Sequence, residues 1–232
     1  MSAFPVDAIL PDLAASLAAN RTAVLQAPPG TGKTTRVAPF LLDAAWLKGR
    51  KILLLEPRRL AARTAAAFMA RQRSERVGET IGYHIRLERR AGPRTRIELL
   101  TEGLLTQRLL HDPELSDTGL VIFDEFHERS LAVDTALALA LDTRRALRPD
   151  LRLVVMSATL RPEAIAAHLG DADIHTADTR LYPVETRLLD RLSTASIPQQ
   201  AAGAVLRALR EETGSVLLFL PGEGEIRRIA TR

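Results

Sequence analysis

The sequence contains no cysteine, which excludes a disulfide framework and any zinc or iron–sulfur centre held by thiolates. No apolar run reaches the roughly 18 residues that a membrane-spanning helix needs. The first residues, Met1-Ser2-Ala3-Phe4-Pro5-Val6-Asp7, lack the basic segment and apolar stretch of a secretory signal. The expected compartment is therefore the cytoplasm, with no membrane partner. Lysine is scarce: Lys33, Lys48 and Lys51 are the only three among 32 basic residues. With so much alanine and arginine, that scarcity looks like a compositional bias of the genome rather than a functional device. Internal repeats are also lacking.

What is present suits a globular protein. The 232 residues are 46% hydrophobic and 26% charged, enough for one sizeable α/β domain and part of another. A net charge of +4 is too small to require a polyanionic partner. Its distribution is uneven: residues 51–100 carry 12 Lys and Arg against 5 Asp and Glu, and residues 101–150 carry 5 against 10. A basic segment beside an acidic one suits a phosphate-facing surface next to a metal-facing one. A solvated arginine-rich face accounts for the same counts equally well.

Strand-like and helix-like stretches alternate. Strands are expected at Thr22–Ala27, Lys51–Glu56, Ile97–Leu100, Leu120–Asp124 and Leu153–Ser157. These runs lack strict polar alternation, as expected of strands covered on both faces. Helices are expected at about Lys33–Leu47, Leu60–Arg73, Glu102–Leu110, Ser130–Leu147 and Arg161–Leu169, with Pro39 kinking the first. The βαβα order predicts a parallel sheet with helices on both faces. A polar turn near Asp178–Pro183 marks a boundary between residues 1–180 and 181–232. Beyond it the pattern reads strand (Val184–Leu189), helix (Pro198–Glu212), strand (Ser215–Leu220) and helix (from Glu223). Two βα units are too few for an independent core of this type.

The strongest chemical signal is Ala27-Pro28-Pro29-Gly30-Thr31-Gly32-Lys33-Thr34, followed by Thr35. It lies between an expected strand and an expected helix, the context that a phosphate-binding loop requires. Glycines let backbone N–H groups turn inward around phosphate oxygens, and the helix N-terminus adds partial positive charge. Lys33 then supplies a point charge for the β- and γ-phosphates of ATP, and Thr34 a hydroxyl for Mg²⁺. Ala27 stands where the first glycine of such loops is usual.

The next signal is Leu120-Val121-Ile122-Phe123-Asp124-Glu125-Phe126-His127. An apolar strand ends in two carboxylates, at the end where open α/β sheets bind ligands. Asp124 is the expected Mg²⁺ holder, with Glu125 beside it counted both among the metal residues and as the group that orients and polarises the attacking water; Lys33 and His127 join it as candidate catalytic residues. Two adjacent acids at a buried strand end are costly without a cation, which favours the metal reading. His127 takes its weight from following them. Ser157-Ala158-Thr159 ends the next strand; Ser157 and Thr159 are candidates for coupling the metal site to a neighbouring domain, although such residues also simply cap helices. Arg58 and Arg59, in Glu56-Pro57-Arg58-Arg59, and Thr101-Glu102-Gly103 each follow a strand and open a helix. Both segments suit contact with a nucleic-acid backbone, and plain capping remains open for each. Either Arg59 or Arg63 is a candidate to stack on a purine, and the sequence does not choose between them.

Taken together, these residues resemble the DEAH-box helicases of superfamily 2. Residues 30–35 look like motif I, 56–62 like Ia, 101–103 like Ib, 124–129 like II and 157–159 like III. Phe126 replaces the more usual alanine. With Leu218-Phe219-Leu220-Pro221-Gly222-Glu223-Gly224-Glu225-Ile226, it is similar to the bacterial HrpB-type members. The resemblance implies a RecA-like P-loop domain and the start of a second, with ATP and Mg²⁺ as cofactors. It implies ATP-fuelled movement on single-stranded nucleic acid, with RNA favoured over DNA. An ATP-switched RNA-binding or remodelling module without unwinding is the alternative. A small-molecule kinase is disfavoured, since the chain carries Asp-Glu-x-His and Ser-Ala-Thr instead of a lid and an acceptor pocket. Motifs V and VI are not among the 232 residues. In relatives, the latter supplies arginines to the transferring phosphate, a contribution worth roughly 10³–10⁵ in rate. The expectation is a piece of a longer protein that binds nucleotide and hydrolyses it poorly.

Overall fold

The computed structural model describes residues 4–19, 22–158, 161–170, 172–177, 185–188 and 196–230. The chain divides into two compact units, Met1–Arg180 and Leu181–Arg232. The first is built on an eight-stranded sheet: β1 (Ala23–Gln26), β2 (Lys51–Leu55), β3 (Ile81–Ile85), β4 (Glu88–Arg90), β5 (Ile97–Leu100), β6 (Thr118–Phe123), β7 (Arg152–Ser157) and β8 (Asp173–Thr176). The order is β4-β3-β5-β2-β6-β7-β1-β8. All neighbours run parallel except the β3–β4 hairpin.

Side-chain parity explains why the central strands carry no alternation. Ile52 and Leu54 join Leu25, Ile122 and Val154 on one face, under α1 (Leu10–Ala18), α2 (Lys33–Leu41) and α3 (Arg59–Gln72). Leu53 and Leu55 join Val24, Val121, Phe123 and Val155 on the other, under α4 (Glu102–His111), α5 (Leu131–Ala146) and α6 (Pro162–His168). Both faces are dry, so both parities must be apolar. Removing a fully buried side chain such as Phe123 costs about 3–5 kcal/mol.

Several expectations need correction. The helix opening at Lys33 ends at Leu41, not Leu47; a 3-10 turn at Ala45–Leu47 follows separately. Pro39 lies two residues before that end, and its ring removes an N–H from the ladder. The Ala-Leu repeat at 136–141, whose composition alone reads as a buried helix, buries Ala136, Leu137, Ala140 and Leu141 but exposes Ala138, so it is amphipathic. Several elements went unread: the 3-10 turn Pro5–Ile9 and α1 that continues it, the hairpin strands β3 and β4, the 3-10 turn Phe126–Glu128 and the edge strand β8. β4 and β8 are the two edges of the sheet and β3 adjoins β4; an edge strand is defined by pairing on one side, and its composition says little.

The second unit contains α7 (Ile197–Glu211) and α8 (Glu223–Ala230). Ser196 and Gln199 close a capping box at the start of α7. Residues 215–220 form no strand, contrary to expectation. A strand exists only through its ladder, and an apolar sequence without a paired neighbour has none. Val216, Leu217 and Phe219 are exposed. Of the other expected strand, residues 185–188 are described and are unpaired, while Val184 and Leu189 lie outside the described residues.

Candidate functional site

β1 and β6 flank β7 in the sheet, so the loops leaving their C-terminal ends meet. The first loop is anchored where it starts: the Ala27 N–H donates to the Ser157 carbonyl at 3.0 Å. Thr31, buried, folds the loop on itself by donating its hydroxyl to the Pro28 carbonyl at 2.8 Å. Gly30 and Gly32 have φ of +79° and +90°, left-handed values that glycine adopts without penalty. Pro29 and Gly30 are exposed and Pro28 half-buried. Lys33 and Thr34 then open α2, and the Thr35 hydroxyl donates to the Gly32 carbonyl at 3.4 Å.

Asp124 sits one residue past β6, tied in by its N–H to the Leu55 carbonyl at 3.0 Å. It is 2% exposed. The Thr34 hydroxyl donates to Asp124 Oδ2, and the Glu125 N–H donates to Oδ1 at 2.8 Å. Burial pushes the Asp124 carboxyl up to about 6; the Thr34 hydrogen bond opposes the rise and the Glu125 charge adds to it. Lys33, 4% exposed, places Nζ 3.1 Å from Glu125 Oε1. Glu125 Oε2 lies 3.3 Å from His127 Nε2. The Ala158 N–H donates to His127 Nδ1 at 3.4 Å, which puts the neutral ring's proton on Nε2, facing Glu125. Glu125 itself has φ of +48°, a strained value for a carboxylate residue, of order 1 kcal/mol or more, held by contacts on both sides.

The site therefore joins Lys33, Thr34, Asp124, Glu125 and His127, with Ser157 one strand away through its carbonyl. Thr159 lies outside the described residues. The Thr34 hydroxyl and the Asp124 carboxylate offer two oxygens at one point, with buried negative charge that a cation would relieve. Among the described residues no group of three His, Asp or Glu is placed to hold a metal. Mg²⁺ in phosphate sites characteristically takes one or two protein oxygens and fills its shell with phosphate and water, so the residues fit such an ion. Glu125 is not part of that pair; its oxygens are engaged by Lys33 and His127.

The two segments read as backbone contacts lie side by side, because β2 and β5 are neighbours and the Glu56 N–H donates to the Leu100 carbonyl at 2.9 Å. Arg58 and Arg59 are exposed, and the Arg58 guanidinium pairs with Glu128, a partner the sequence did not suggest. Thr101 is the N-cap residue of α4 but makes no side-chain cap, so plain capping does not account for it. Glu102 accepts from the Ser130 hydroxyl at 2.8 Å, and Gly103 faces open space. Glu56 was also missed as a titrating group. It is 3% exposed, and burial first, then the Asp124 charge, pushes its carboxyl up to about 7. Phe126 is buried beneath the Arg129 guanidinium, 5.3 Å from the ring centroid.

Residues 10–167 match the DEAD/DEAH box helicase family. The chain belongs to that family. This helicase chain is 47% identical over 229 residues to the ATP-dependent RNA helicase HrpB of Escherichia coli, covering 99% of the chain and 28% of that protein. It is 35% identical over 207 residues to the ATP-dependent RNA helicase HrpA of Borreliella burgdorferi, covering 88% of the chain and 25% of that protein. The crystal structure of the E. coli DEAH/RHA helicase HrpB superposes with a TM-score of 0.92 at 46% identity, over 98% of this chain and 29% of that one. A second, described as the E. coli DExH-box NTPase HrpB, gives 0.87 over 100% and 28%. The eight-stranded α/β unit is thus the RecA-like domain of a helicase. The helicase chain spans little more than a quarter of the length of these relatives. Among its described residues no helix is long and apolar enough to cross a membrane.

Proposed function

We propose that this chain is the nucleotide-binding part of a DEAH-type motor that couples ATP hydrolysis to movement on single-stranded nucleic acid, RNA favoured over DNA. The observation that carries the reading is the meeting of Lys33 and Thr34 with Asp124 and Glu125 across two separate loops. Inward N–H groups of Gly30–Thr34 and the Lys33 ammonium bind the triphosphate. Thr34 and Asp124 would hold Mg²⁺, which supplies charge neutralisation on the phosphates. Glu125, paired with Lys33 and held by His127, positions the attacking water and accepts its proton. Ser157 and Thr159 are assigned to coupling, and Arg58, Arg59 and Thr101–Gly103 to the nucleic-acid backbone. Residues 181–232 are read as the start of a second RecA-like domain. RNA substrates are named for the HrpB and HrpA relatives, and that is the support for RNA here.

The test is Lys33→Ala. Affinity for a fluorescent ATP analogue with Mg²⁺, measured by equilibrium titration, should fall strongly with the fold retained by circular dichroism. Unchanged affinity would remove the site.

A further inference from the structure

We infer that the segment Phe4–Asp7 is a strap that positions the phosphate loop for nucleotide, with Asp7 and Arg36 as its clasp. The inference rests on the nucleotide reading of that loop. The strap itself lies before β1, Arg36 lies in α2, and none of these residues has been given a role above.

Five observations converge. The Val6 N–H donates to the Thr31 carbonyl at 3.2 Å, a direct backbone bond from the strap to the loop. The Phe4 ring packs on Gly32 so closely that a Cβ there would lie 2.8 Å from Phe4 Cδ1. Arg36, one turn along α2 from Lys33, makes a two-pronged pair with Asp7: Nε to Oδ1 at 2.8 Å and Nη2 to Oδ2 at 3.3 Å. The same guanidinium stands 5.6 Å from the Phe4 centroid. Asp7 also accepts from the Phe4 N–H at 3.0 Å, so one carboxylate ties the strap to itself and to the helix that the loop opens.

The physical need is specific. A loop with φ of +79° and +90° at Gly30 and Gly32 has many other conformations available. An anion cradle works only if its N–H groups already point inward, since ordering them at binding would subtract from affinity. The strap presses on the outer side of Gly32 and holds the Thr31 carbonyl, which leaves fewer of those alternatives open. A planar fork fixes orientation where a single point charge would not. Phe4, Asp7 and Arg36 are accordingly positioning residues, with no contact to substrate claimed for them.

The test uses the 232-residue chain and a fluorescent ATP analogue with Mg²⁺. Asp7→Asn and Arg36→Gln should each weaken binding about three- to tenfold. The double variant should be no weaker than the worse single, since both remove the same clasp. Phe4→Ala, which leaves the ion pair in place, should weaken binding as well. Asp117→Asn, which breaks the Lys51–Asp117 pair at the opposite end of the sheet, is the stability control. Wild-type affinity in Asp7→Asn and Phe4→Ala would overturn the strap. So would a loss no larger than that of Asp117→Asn at an equal drop in Tm, or fully additive losses in the double variant. Lys33→Ala separates the two readings: if it leaves affinity intact, the nucleotide site itself is wrong, whereas if it abolishes binding while Asp7→Asn and Phe4→Ala do not weaken it, only the strap fails.

Discussion

Lys33 Nζ and Glu125 Oε1 lie 3.1 Å apart, with Lys33 only 4% exposed. On the proposed reading, the cation that binds phosphate and the carboxylate that positions water are direct partners. A buried charge stripped of its partner is strongly penalised, so nucleotide binding is expected to exchange the carboxylate on Lys33 for phosphate and to release Glu125 towards water.

Glu125→Gln should separate binding from chemistry. The amide keeps the size and a hydrogen bond but competes less for Lys33, so nucleotide affinity should equal or exceed that of the wild type. Turnover in the whole protein should drop by roughly 10²–10⁴. Equilibrium titration and steady-state phosphate release check the two halves; normal turnover would move the base elsewhere.

The pair Arg58–Glu128 sharpens the nucleic-acid prediction. Replacing Arg58 and Arg59 by alanine should weaken single-strand binding about equally across sequences and flatten its salt dependence, as lost phosphate contacts do. Glu128→Gln should act in the opposite direction by releasing Arg58. Fluorescence anisotropy over a salt series measures both. A loss confined to one base composition would point to base readout instead.

Glu56 gives a pH prediction. Its carboxyl is raised from 4.5 to about 7 in the folded chain, so the folded state prefers it protonated. Below about 4.5 both folded and unfolded chains hold the proton and nothing is lost. Between there and about 7 the penalty grows with pH, and above that it is complete. Glu56→Gln keeps an acceptor for the Arg58 N–H and removes the penalty. The variant should therefore be more stable than the wild type at pH 8, by on the order of 1–3 kcal/mol, and indistinguishable near pH 4.5. Chemical denaturation at the two pH values decides it; a stability gain that does not depend on pH would assign the effect to packing.

The 232 residues alone should bind Mg²⁺–nucleotide but turn it over barely above background, without stimulation by single-stranded RNA. On the proposed reading they carry the phosphate loop, the acids and the base, while the resemblance to DEAH-box helicases assigns the arginines that reach the phosphate to motif VI, which is not among these residues. Leu217 and Phe219 are 78% and 85% exposed, so concentration-dependent association should accompany this. Robust RNA-stimulated phosphate release by these residues would overturn the account of where the catalytic arginines come from.

Where the information is local, the sequence carries it. The candidate phosphate loop is eight consecutive residues, and the chemistry proposed for it rests on glycine, lysine and hydroxyl at fixed offsets. Asp124 and Glu125 are legible because an apolar strand delivers them. Helices α3 to α7 were placed within about two residues by periodicity. Even the unread α1 had its signal, since Val6, Leu10, Leu13 and Leu17 recur at helical spacing and all are buried.

Which distant side chains meet was decided only by the tertiary structure. Thr34 and Asp124 are 90 residues apart, Arg58 and Glu128 are 70 apart, and Asp7 and Arg36 are 29 apart. The first two contacts follow from strand order, since β7 lies between β1 and β6 and β2 is flanked by β5 and β6; the third follows from the packing of the N-terminal 3-10 turn on α2. Strand order is set by how two apolar faces are jointly covered, a property of the whole sheet that no single segment records. The raised carboxyls of Glu56 and Asp124 have the same origin. Their residue types are written in the chain, but their exclusion from water and their closeness to one another exist only once the sheet has closed around them.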